Sequence, residues 1–201
     1  YTYGAGLALA KIAERFTGEP EAVTVRPHTL NLLGVTPLDF GPQTNIDCMK
    51  QNLQKHGWEV LSTWAMGDTL ETLSHTGEAE INLVVSSVGL PAAKILKEKF
   101  GTPYIIGTPV NGFTEELVET INQRMHRGHL SDIQCNKTLN MENEETDENS
   151  ISAAYLKKRL PGTPQITLIG EAVTMGSLAA AIEGKYHRPV RVICPLETHE
   201  D

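Results

Sequence analysis

The sequence predicts a doubly wound α/β protein: a parallel sheet of about four strands with flanking helices, followed by an additional C-terminal βαβ unit. Three observations carry this. Apolar runs and amphipathic stretches alternate four times between residues 30 and 125. The strand segments are undivided apolar runs, such as LNLLGV and INLVVSS, rather than alternating ones, as expected for strands buried on both faces. Each run is followed by turn residues and then a helical pattern, which is the signature of parallel strands joined by helical crossovers.

The elements follow in order. In AGLALAKIAERF (5–16), Leu9, Ile12, Ala13 and Phe16 share one helical face, and Gly18 ends the helix. Residues 19–29 hold two prolines and read as a loop. The run 30–35 is the first strand, and 36–43 is a turn-rich loop. Thr44 is placed to cap a helix reaching Lys55, with Ile46, Met49 and Leu53 inward and Asp47 in the first turn. A second strand (58–65), a loop (66–68) and a short helix (69–75) come next, then a third strand (81–87). Residues 90–101 form a helix with Ala92, Ile95, Leu96 and Phe100 on one face, and 103–110 a fourth strand. Thr114 opens a further helix with Glu115 and Glu116 in its first turn.

The pattern breaks over 126–162. MENEETDEN (141–149) has five acids in nine residues, so 131–149 is expected to be a mobile surface segment, followed by a short helix over 151–160. A strand (165–170), a loop (171–176), a helix (177–186) and a strand (190–196) then form one βαβ unit. The expected division is a lead-in helix (1–18), a Rossmann-like domain (19–125), a linker (126–162) and the start of a further α/β domain (163–201).

Composition excludes several functions. With 17 Lys and Arg against 25 Asp and Glu, the net charge is −8, which disfavours nucleic acid and anionic membrane surfaces. No apolar run approaches the ~20 residues of a membrane helix. Cys48, Cys135 and Cys194 are isolated, with no C-x-x-C pair, so disulfide scaffolds and common zinc or ferredoxin spacings are excluded within the chain. Free thiols and the lack of a visible signal peptide make the cytoplasm the expected location.

In open α/β sheets the functional crevice lies outside the carboxyl ends of the strands. Five segments qualify: 36–43, 66–69, 86–90, 107–113 and 171–176. None carries a phosphate-binding glycine motif, so a nucleotide enzyme is the weakest reading. Ser86-Ser87-Val88-Gly89 lacks the glycine two places before the serine of a nucleophile elbow, and its hydroxyls read as partners of nearby helix N–H groups. His126 and His129 fit a solvated loop better than a metal helix. Asp39 and Asp68 in strand-end loops read as turn caps or ligand-orienting groups.

A set of ordered motifs adds to this. Gly34…Asp39-Phe40-Gly41, Gly57-Trp58-Glu59-Val60, Asp68-Thr69-Leu70-Glu71-Thr72-Leu73, Ala79-Glu80-Ile81-Asn82-Leu83-Val84 and Gly101-Thr102-Pro103 together resemble the nitrogenase component 1 family of oxidoreductases. YGAGLALAKIAERF resembles the helix before that family's middle domain, and ITLIGEAVTMGSLAAAI the first βα of the next domain. The resemblance implies a middle domain plus the opening of a third, catalytically silent as a fragment and holding no cofactor by itself. It implies an iron–sulfur metallocluster in the full-length complex, a second component 1 subunit, and an iron–sulfur ATPase reductase component as electron donor. In the family's catalytic molybdenum–iron subunits, the resemblance places a cysteine that ligates the iron end of the cofactor two residues after the N-L-V run. That position is Ser86 here, and a hydroxyl is a poor ligand for an iron–sulfur core. Thr36, Pro37, Asp39 and Ser87 are expected to line the same cleft as Ser86. The alternative is a binding module for a small ligand or tetrapyrrole, without redox chemistry, in which Ser86 donates a hydrogen bond.

Overall fold

A computed structural model describes residues 1–134 and 162–195. Helix α1 (Thr2–Phe16) leads into strand β1 (Arg26–Leu33). Then follow α2 (Pro37–Phe40), α3 (Gln43–Lys55), β2 (Glu59–Ser62), α4 (Leu70–Ser74), β3 (Ala79–Val84), α5 (Leu90–Phe100), β4 (Tyr104–Ile106) and α6 (Thr114–Gln134). The last unit is β5 (Ile166–Ile169), α7 (Ala172–Tyr186) and β6 (Val190–Ile193). The first four strands form one parallel sheet in the order β2-β1-β3-β4, and β5 and β6 form a second parallel sheet.

The undivided apolar strands are covered on both faces. Leu30, Leu32, Ile81, Leu83 and Ile105 pack toward Ile46, Met49 and Leu53 of α3 and Leu117, Val118 and Ile121 of α6. Leu33, Val84, Tyr104 and Ile106 point the other way, toward Leu9 and Ala13 of α1 and Ala92, Ala93 and Leu96 of α5. Each fully buried aliphatic side chain contributes about 1.5–3 kcal/mol of transfer free energy.

One polar row crosses this second face. Asn31 pairs in register with Ser62 on one side and Asn82 on the other. Ser62 Oγ donates to Asn31 Oδ1 at 2.8 Å, and Asn31 Nδ2 donates to Asn82 Oδ1 at 2.8 Å and to the Thr76 carbonyl at 2.9 Å. A one-residue slip of any strand would turn these groups into the opposite, apolar layer, so the row fixes register.

Several boundaries differ from expectation. β1 begins at Arg26, inside the expected loop, because the strand tolerates a bulge: register shifts between Arg26 and Leu30, and His28 adopts φ 55°. The His28 N–H is satisfied by Glu80 Oε2 at 2.6 Å. Helix α3 is capped at Pro42 without a side-chain bond, so Thr44 lies inside its first turn and Asp47 beyond it. Phe16 is 43% exposed rather than inward; Gly6, Leu9, Ala10 and Ala13 form the buried stripe. Helix α6 runs through 126–134, so His126 and His129 lie on a helix, not a loop. Helix α7 starts at Ala172, five residues before the expected start, because Glu171 supplies its cap. The remainder of the expected mobile segment and the helix expected over 151–160 lie outside the described residues.

Candidate functional site at the strand ends

The chain leaves β1 toward β2 on one side of the sheet and returns by β3 on the other. The loops after β1 and β3 therefore flank the switch point where such sheets receive ligands. Four of the five expected residues are held there by hydrogen bonds, in three separate groups.

Ser86 is fully buried, and its Oγ donates to the Gly34 carbonyl at 2.7 Å. This bond ties the β3 end to the β1 end. The approach is close: a Cβ on Gly34 (φ +89°) would sit 2.7 Å from Ser86 Oγ and 2.8 Å from the Gly89 nitrogen. Gly89 is equally confined, since its Cβ would lie 2.5 Å from the Leu33 carbonyl carbon. Ser86 is thus a clasp between loops rather than a group presented to a cleft.

Thr36 and Asp39 form the second group. Thr36 caps the single turn α2, accepting from the Asp39 N–H at 3.4 Å, and its Oγ1 donates to Asp39 Oδ2 at 2.6 Å. Tyr1, from the start of α1, donates its hydroxyl to Thr36 Oγ1 at 2.8 Å. Pro37 and Leu38 are exposed beside them, Leu38 by 71%. The result is a phenol–hydroxyl–carboxylate chain with an apolar edge, suited to orienting a polar group on a largely apolar ligand.

The third group involves residues that sequence reasoning missed. The Ser87 N–H donates to Glu171 Oε1 at 2.8 Å. The Glu171 carboxylate also caps α7, accepting from Val173 N at 3.1 Å and Thr174 N at 2.8 Å. Nearby, Thr108 N donates to Ser177 Oγ at 2.9 Å, and Ser177 Oγ donates to the Val173 carbonyl at 2.9 Å. The signal available was an acid at a strand-to-helix junction followed by the helix formers Ala172 and Met175. Asp68 behaves as a turn cap: its Oδ2 accepts from Thr63 N at 2.6 Å and Trp64 N at 2.7 Å, holding Trp64 at φ 56°.

These donors do not fit an iron–sulfur cluster. They are hydroxyls, one carboxylate and main-chain groups, and the Ser86 hydroxyl is committed to Gly34. Among the described residues no group of three or more His, Cys, Asp or Glu is arranged to hold a metal ion. Cys48 is exposed on α3 and Cys194 is half-buried after β6; neither belongs to the strand-end loops of the first sheet. Cys135 lies outside the described residues. Among the described residues no helix is long and apolar enough to cross a membrane.

Strand order and loop positions define a parallel α/β protein whose β1 and β3 carboxyl ends flank the switch point at which such sheets receive ligands. The family described as Nitrogenase component 1 type Oxidoreductase matches residues 1–147, and the chain belongs to that family. It is 30% identical over 121 residues to the light-independent protochlorophyllide reductase B subunit of Synechococcus sp. (strain JA-3-3Ab), a match covering 57% of this chain and 23% of the relative. The protein of the same name from Nostoc punctiforme (strain ATCC 29133 / PCC 73102) is 36% identical over 93 residues, 45% of this chain and 18% of that protein. The matches thus span about a fifth of the length of these relatives. A solved structure titled "Nitrogenase Cp1 at pH 6.5" shares the fold, with a TM-score of 0.53 at 17% identity over 95% of this chain and 35% of that one.

Proposed function

We propose that this chain is the middle domain and the opening of the third domain of a nitrogenase-like component 1 subunit, and that its strand-end crevice serves a bound substrate rather than a cluster. The carrying observation is the donor set: the position where a cluster thiolate would be expected is Ser86, fully buried and bonded to Gly34. The open part of the edge offers Tyr1 and Asp39, both bonded to the buried Thr36 hydroxyl, beside exposed Pro37 and Leu38. Such a surface suits a large conjugated ring system with polar substituents. The names of the protochlorophyllide reductase relatives support a tetrapyrrole as that ligand.

In this reading the residues of this chain bind and orient, and electrons arrive from elsewhere. An ATP-dependent iron–sulfur reductase component supplies them to a cluster held by another domain or by a second component 1 subunit, in the cytoplasm. The fragment alone is inactive. The test is anaerobic purification of the full-length protein with its reductase component. Ser86→Ala is expected to leave the iron content per protomer unchanged and nucleotide-dependent reductase binding intact. Iron lost on that substitution from a protein that remains folded, or no reductase binding by the native protein, overturns the proposal.

A further inference from the structure

Glutamate is an unusual N-cap, a position that favours Asp, Asn, Ser and Thr because the side chain must fold back over one short turn. Glu171 nonetheless caps α7, and its extra methylene has a second use. One carboxylate accepts three N–H groups: Val173 and Thr174 from its own helix, and Ser87 from the loop after β3, 84 positions away in sequence. A hydrogen bond to an ionised acceptor is roughly twice as strong as one between neutral groups.

The same helix is held at a second point. Thr108, only 3% exposed just past the end of β4, donates its N–H to Ser177 Oγ and its own Oγ1 to the Val85 carbonyl at 2.8 Å. Between these fasteners α7 presents small residues. Ala180 and Ala181 join the core beside Phe113, and a Cβ on Gly112 would stand 3.7 Å from that of Ala181. Val173 joins the opposite core beside Leu33 and Val88. Small side chains bury little apolar area, so polar fasteners carry a large share of this contact.

We infer that Glu171 is a latch that closes the βαβ unit over the β3–β4 end of the crevice, and that releasing it from Ser87 frees α7 as a body from the strand ends. This concerns how the edge is closed and does not depend on what it binds, so the latch and the proposed function fail separately.

Amide hydrogen exchange on the full chain tests it. Glu171→Asp retains a good helix cap but is one methylene too short to reach Ser87. Ser87→Pro deletes the N–H itself at the first position of its 3-10 turn, after an extended Ser86 (φ −150°, ψ 159°) that suits a following proline. In both variants exchange at the distant Thr108 amide is expected to speed by roughly tenfold or more, as local opening becomes easier. In Glu171→Asp the Val173 and Thr174 amides keep their protection. Unchanged exchange at Thr108 in either variant overturns the latch, leaving Glu171 a local cap. If Glu171→Asp loses protection throughout the chain, Ser87→Pro alone decides by the same two outcomes.

Discussion

At the scale of single residues, the close approach of Gly34 to Ser86 and Gly89 is a severe constraint at the strand ends. Gly34 needs both a left-handed backbone and the absence of a side chain. Gly34→Ala is therefore expected to cost about 3 kcal/mol, combining φ strain with a clash against atoms that have no room to retreat. The urea midpoint should fall with an unchanged m-value. Gly57→Ala, equally left-handed (φ +86°) but with nothing within 4 Å of the added Cβ, should cost only the strain part, about 1 kcal/mol. The comparison separates crowding from backbone preference. The motif around Gly34 was visible in the sequence, but its reason was not: a buried hydroxyl bond between residues 52 apart leaves no trace in local spacing.

At the scale of elements, the Ser62–Asn31–Asn82 row shows where sequence reading succeeds and fails. Apolar runs located β1 and β3 because burial on both faces demands them, and the α3 face was legible from its period. Asn31 and Asn82 lie inside those apolar runs, and only the register reveals them as partners. Asn31→Leu should strand Ser62, Asn82 and the Thr76 carbonyl, costing about 3 kcal/mol by denaturant titration. Replacing all three polar side chains by apolar ones should cost less than that single change, because only the Thr76 carbonyl is then left without its partner. Boundaries were missed for different reasons. The bulge at His28 depends on a partner, Glu80, that lies far away in sequence, whereas the Glu171 cap is local and was passed over because glutamate is an uncommon N-cap.

At the scale of the molecule, helices cover both faces of the first sheet, and the carboxyl ends of its strands are divided between two sets of contacts. The β3–β4 end is closed by α7, Glu171 and the Thr108–Ser177 bond. The β1 end keeps Tyr1, Thr36 and Asp39 beside exposed apolar groups. Of the five residues expected to line one cleft, Thr36 and Asp39 are joined and Pro37 adjoins them, while Ser86 and Ser87 are committed elsewhere. The family was legible from ordered motifs; the division of the edge was not, since it rests on contacts between distant segments. The most direct test is an anaerobic titration of protochlorophyllide against the full-length protein, read by the shift of its absorption bands, with and without an iron chelator. The account predicts saturable binding with the same affinity in both conditions, weakened roughly tenfold by Asp39→Asn, which alters the ligand-facing carboxylate, or by Thr36→Val, which frees Tyr1 and Asp39 from the hydroxyl that positions them. Binding abolished by the chelator, or untouched by both substitutions, would contradict it.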